Sequence, residues 1–184
     1  VDAGFTLLET TVAMLVLMVG LLGLASALSF SLTVTNRGRN VTNSKLLISS
    51  VLEQMETLRN TKQLTFGQIS NTGAVDNRGA TQNFAGFPTA SQPVTLNPGP
   101  DGIFGTGDDL LDAGNDGVYG TGDDFTNPAL GVTGYQRQIE ITNLSSTLKR
   151  IQVTLQSSGG GAGGVRTLIG VCYLNDNAHS NFTP

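Results

Sequence analysis

Apolar and polar positions divide the chain into stretches of different period. From Thr10 to Asn36 no side chain is charged, and Val12–Leu32 reads VAMLVLMVGLLGLASALSFSL, apolar all round a helix. That length matches the roughly 20 residues a helix needs to cross a hydrocarbon core. As a secretory signal the run is too long, and it lacks both a basic start and an A-x-A site followed by polar sequence. After the polar break TNRGRNVTNSK the pattern becomes amphipathic. In LLISSVLEQMETLRN, Leu47, Val51, Met55 and Leu58 recur at helical spacing, and Ile48 and Leu52 widen the same face. The spacing predicts one long helix over residues 5–60, apolar over 5–32 and stopping near Asn60. A helix that is apolar all round cannot hide inside one small domain; it must sit in lipid or among copies of itself.

Past residue 60 the period changes. Residues 61–134 are turn-rich, with Phe84 and Phe87 as expected anchors against the helix. Three later segments, YQRQIEITN, KRIQVTLQ and VRTLIGVCYL, read as strands. Ile139 and Ile141 alternate with polar residues, as do Ile151, Val153 and Leu155, which is the period of a half-buried strand. SSGGGAGG joins the last two as a flexible hairpin loop, and residues 84–96 leave room for a fourth strand. The expected class is α+β: the amphipathic half-helix lies on one face of a small antiparallel sheet, and residues 135–184 supply the sheet and a C-terminal tail.

Between helix and sheet the chain repeats itself. PDGIFGTGDDLL and NDGVYGTGDDFT share D-G-[IV]-[FY]-G-T-G-D-D at a period of fifteen residues. Asp101, Asp108 and Asp109 correspond to Asp116, Asp123 and Asp124, with Asp112 between the copies. Seven of the 14 acidic residues thus fall within Asn97–Asn127, which holds no Lys or Arg, so they repel one another unless a cation neutralises them. Clustered Asp with Gly at tight turns suits Ca²⁺, a hard ion that takes several carboxylates and backbone carbonyls, better than Mg²⁺, which keeps its water. The expectation is therefore one or two Ca²⁺ ions on these seven aspartates over residues 98–125, with Phe104 and Tyr119 as apolar pegs fixing each loop to the body. The alternative is an acidic, solvated loop. The pattern fails the EF-hand at its third position, and the period of fifteen does not suit a β-roll.

Composition narrows the function. A net charge of −4 with no basic surface gives no electrostatic reason for nucleic-acid binding. A single Cys172 excludes an intrachain disulfide and is read as a buried thiol, and the single His179 as a solvated tail residue. With one His, one Cys and no G-x-S-x-G, no familiar nucleophile constellation can be assembled, and no enzyme is expected. Sequons at Asn40, Asn143 and Asn181 are too short a pattern to assign a glycan.

One acid, Glu9, stands at the head of the apolar run, where a carboxylate costs a few kcal/mol or more unless paired and is by default functional. GFTLLETTVAMLVLMVGLLGLASAL resembles the N-terminus of type IV pilins and pseudopilins, over residues 4 to about 60. The resemblance implies cleavage by a prepilin peptidase after Gly4, N-methylation of Phe5, and pairing of Glu9 with the new amine of a neighbouring subunit. It also implies inner-membrane residence before assembly by the pilus machinery, then a place among copies of the chain in an extracellular filament on a prokaryotic cell. MLVLMVGLLGLA is similar to pilus-modification minor pilins, so a low-copy minor pilin or a type II secretion pseudopilin stands as the alternative. A membrane-anchored adhesin is a third. Two features depart from the family. Residues 1–4 lack the basic residues of a prepilin leader and are read as a leader remnant or a retained extension; if retained, the amine facing Glu9 is that of Val1, with Asp2 a second acid near it. The proline midway along many pilin helices is missing; Gly20 and Gly23, each costing about 1 kcal/mol relative to Ala, stand in its place. Any segment melted on packing should then lie between Met18 and Ala27, unless these glycines serve only close helix packing.

Overall fold

The computed structural model describes residues 6–80, 84–158 and 164–176, so Gly4, Phe5, His179 and most of the glycine-rich loop lie outside the described residues. Two compact units make up the chain, Val1–Thr42 and Asn43–Pro184, and helix α1 (Leu7–Asn60) passes from the first into the second.

In the first unit, α1 starts behind Thr6, whose carbonyl accepts from the Glu9 N–H at 3.0 Å. Its apolar side chains, from Leu7 through Leu15, Leu22 and Phe30 to Val34, are exposed around the whole circumference. The hydroxyls of Thr10, Thr11, Ser26 and Thr33 donate to carbonyls of their own helix, which is how polar side chains are satisfied where no water is available. The stretch is long and apolar enough to cross a membrane. The helix is continuous through Met18–Ala27, and neither Gly20 nor Gly23 has a side-chain neighbour within 4 Å, so the isolated chain holds no melted segment there.

The second unit is built on the amphipathic half of α1. Ser44, Ile48, Val51, Met55 and Leu58 are its buried positions, while Leu47 and Leu52 are half-buried flanks. The helix ends where Lys62 turns into the left-handed region (φ 59°) and the Leu64 N–H closes onto Leu58 O at 3.1 Å.

Among the described residues six strands follow: β1 (Gln92–Thr95), β2 (Leu111–Asp112), β3 (Phe125–Thr126), β4 (Gly131–Asn143), β5 (Leu148–Ser158) and β6 (Val165–Asn175). The main sheet is antiparallel throughout, in the order β1-β4-β5-β6, and β2 and β3 form a small ribbon of their own. The three long strands match the segments expected from alternation, and β1 falls within 84–96. Their inward positions, Ile139, Ile151, Val153, Leu155 and Leu174, share one core with α1, with Ile69 and with the edge-to-face pair Phe84–Phe87. Gly170 on β6 lies under the helix, and a Cβ there would run into Ile48. Cys172 also faces inward but is only half-buried, a looser position than the sequence suggested, because β6 is an edge strand; burial still pushes its thiol pKa up.

The period that buries Ile151 also buries Lys149. Its Nζ donates to Ile69 O at 2.7 Å, Ser70 Oγ at 2.9 Å and Phe66 O, and lies 4.6 Å from the Phe66 ring centroid. Three oxygen acceptors and a ring face make the ammonium a pin for the chain leaving α1. Burial lowers its pKa to about 8.

Candidate functional site

The repeat is a structural one. Asp101 Oδ1 accepts from the Ile103 N–H at 2.8 Å, and Asp116 Oδ1 from the Val118 N–H at 2.9 Å. Gly105 N–H donates to Asp109 Oδ2 at 2.7 Å, and Gly120 N–H to Asp124 Oδ2 at 2.6 Å. Thr106 Oγ1 donates to Asp108, as Thr121 Oγ1 does to Asp123. Each loop is thus a small cage of backbone N–H groups turned onto carboxylates. It depends on Gly99 and Gly114, both at φ 64°, where a side chain would be strained and a Cβ would run into Asp108 or Asp123.

The two copies differ in what surrounds them. Ile103 is 1% exposed and plugs the first loop into the core, whereas its counterpart Val118 is 56% exposed. Phe104, the expected peg, is exposed; the tight turn at Asp101–Gly102 sends the preceding residue inward instead. Tyr119 is half-buried, and Asn97 Nδ2 donates to its hydroxyl at 3.3 Å, tying the second loop to the start of the first.

Charge differs too. Asp109 is buried against Arg137 of β4 (side chains 3% and 5% exposed), with Nη2 to Oδ2 at 3.2 Å. Oδ2 also accepts from Thr95 Oγ1 at 2.9 Å, and Oδ1 from the Thr106 N–H at 3.1 Å. Asp109 therefore has its charge neutralised within the chain and both oxygens occupied. Burial pulls the Arg137 pKa down and the Asp109 carboxylate opposes the shift. Asp101 has no such cation: burial and the nearby charges of Asp108 and Asp109 raise its pKa to about 6, against the Ile103 N–H, which favours the anion. Asp112 receives the Gly114 N–H and the Asn127 amide. Asp116 and Asp123 are exposed, and Asp123 is held below the usual carboxylate range by the Thr121 hydroxyl and the Asn115 N–H. Among the described residues no three His, Cys, Asp or Glu side chains form a ready cage for a metal ion. A Ca²⁺ ion would have to use oxygen lone pairs left over from these hydrogen bonds.

Beside the first loop lies a cleft of about 530 Å³, lined by Leu47, Val51, Val94, Leu96 and Phe104. Its walls are mainly apolar, and its one guanidinium, Arg137, is committed to Asp109.

No protein-family model, curated protein or solved structure matches this chain. Its architecture defines it instead: an α+β protein whose long N-terminal apolar helix continues into a half that packs on an antiparallel sheet, compatible with a pilin-like fold.

Proposed function

We propose that this chain is a structural subunit of an extracellular type IV pilus-like filament, held in the inner membrane by the apolar half of α1 and then bundled with copies of itself. The observation that carries this reading is α1 itself. Its uncharged half exposes apolar side chains all round, and its continuation carries a folded head. Each fully covered Leu, Val, Met or Phe is worth about 1.5–3 kcal/mol, so this surface exchanges lipid for other helices rather than for water. The test is the intact mass and abundance of the chain in filaments sheared from cells. The expected result is a dominant species beginning at N-methylated Phe5. A trace species would instead give the minor-pilin or pseudopilin role, and a chain found only in the membrane fraction would leave a plain anchor.

We also propose Ca²⁺ as a clamp on the head loops. Asp101 and Asp108 of the first loop support this best, as neighbouring carboxylates that Arg137 does not neutralise. The pH dependence has a definite sign. The folded pKa of about 6 lies above the ordinary 3.8, so this group's contribution to stability is complete below about 3.8 and is lost as pH rises through about 6. A bound dication favours the anion and offsets that loss. Adding Ca²⁺ near pH 5.5 should therefore release protons, measurable by titration calorimetry in buffers of different ionisation enthalpy. At neutral pH, Ca²⁺ at a hundred times its dissociation constant should stabilise the head by about 2.7 kcal/mol over chelated protein. Unchanged protease resistance of residues 98–125 in chelator, with no proton release, would remove the clamp.

A further inference from the structure

The second loop and the outward face of β6 are two surfaces that no described residue covers, at different places in the head, and they complement each other. Alternation along β6 turns Val165, Ile169, Val171 and Tyr173 outward, all exposed, whereas the same face of β4 and β5 carries the polar Gln136, Gln138, Glu140, Gln152 and Thr154. An apolar stripe on an 11-residue edge strand is a surface that proteins ordinarily cover or charge. Beside it, opposite Tyr173 in the register, stands Arg150, which makes no hydrogen bond or ion pair with any described residue and whose Nε is buried without an acceptor. On the loop side, Val118 and Phe125 are exposed among Asp116 and Asp123, and Asp124 Oδ1 is buried without a donor. One surface is apolar beside a guanidinium with no carboxylate partner among the described residues; the other is apolar beside the exposed carboxylates of Asp116 and Asp123. The first loop shows the missing arrangement completed, since Asp109, the counterpart of Asp124, holds the guanidinium of Arg137.

We propose that the second loop of one copy docks on the β5–β6 outer face of the next, with Val118 and Phe125 covering the Ile169–Tyr173 stripe and Arg150 taking the Asp123 and Asp124 carboxylates as Arg137 takes Asp109. The partner is a second copy of this chain, because both halves of the interface occur in one head: the loop hangs between β1 and β4, and β6 forms the opposite edge of the sheet. Two different patches meeting head to tail produce an open array rather than a closed dimer. The proposal rests on the filament reading and names the contact between its heads.

The test uses the full-length chain with Val118→Cys and Ile169→Cys in a Cys172→Ser background, treated on cells with a short bis-maleimide. Both new thiols replace exposed side chains, so folding is left intact. The expected result is a ladder of covalent multimers from the double variant, none from either single variant, loss of the ladder with Arg150→Glu and its retention with Arg150→Lys. Filaments without a ladder would overturn the docking and leave the filament reading standing. A ladder in the membrane fraction of cells without filaments would keep the docking and remove the filament reading. Neither ladder nor filaments would overturn both, and dimers from one single variant would replace the head-to-tail contact with a like-to-like one.

Discussion

Replacing Asp109 with alanine should destabilise the head by about 3–5 kcal/mol, the usual cost of removing one partner from a buried ion pair. The loss is large because one carboxylate serves several groups at once. Arg137 would remain buried without a counter-charge, and the Gly105 and Thr106 N–H groups would lose their acceptor. At an m-value of about 2 kcal/mol/M, the urea midpoint of the full chain in detergent should fall by about 2 M, read by proteolysis of the opened head. The repeat provides its own control. Asp124→Ala changes the same residue of the same motif, but Asp124 carries no internal cation, so its cost should stay near 1 kcal/mol, the ordinary value for a point change. Equal midpoints for the two variants would show that the Arg137 contact contributes nothing beyond the loop. Arg137→Met added to Asp109→Asn should recover part of the loss, since the uncompensated charge disappears with it.

That asymmetry between the copies is not legible in the sequence. The nine-residue motif is nearly identical in both, yet the first copy meets the core through Ile103 and a guanidinium 28 residues beyond Asp109, while the second stays exposed. Local pattern carries no information about which copy meets the sheet. Elsewhere periodicity was sufficient. A charge-free run from Thr10 to Asn36 marks the apolar half of α1, and alternation marks β4, β5 and β6. Counting back two positions from Ile151 and from Ile139 even places Lys149 and Arg137 on the core face, although a charged residue there invites the opposite assignment. Ile103 could not be told from Phe104 in this way, because within a tight turn side-chain direction follows the individual dihedral angles. The strands β2 and β3 are two residues each and arise only because the two loops bring their ends together, so no propensity announces them. Of the aspartates proposed for calcium, the structure brings Asp101, Asp108 and Asp109 into one hydrogen-bonded loop and Asp116, Asp123 and Asp124 into its copy, with Asp112 held apart by Asn127.

Glu9→Leu should abolish filaments while leaving the chain at its normal level in the membrane. Glu9 lies in the first turn of α1, and its carboxylate has no ion-pair partner among the described residues. Within a hydrocarbon environment an unpaired charge costs a few kcal/mol or more, so residence in the membrane alone would favour leucine at this position. The carboxylate is tolerable if a positive group from outside the described segment meets it at the same depth, and in the proposed filament that group would be the amine of a neighbouring subunit. Each 1.4 kcal/mol of such pairing is tenfold in the equilibrium for adding a subunit, so losing a few kcal/mol removes assembly. Because Glu9 belongs to the first unit, the head should keep its urea midpoint, which separates this variant from Asp109→Ala, where the head itself fails. Glu9→Gln should fall between, retaining an acceptor but no charge. Counting filaments by electron microscopy alongside membrane levels decides the matter. Filament numbers unchanged in Glu9→Leu would mean that the apolar surface of α1 drives assembly without a registering charge, and that the acid at the head of the run serves some other end.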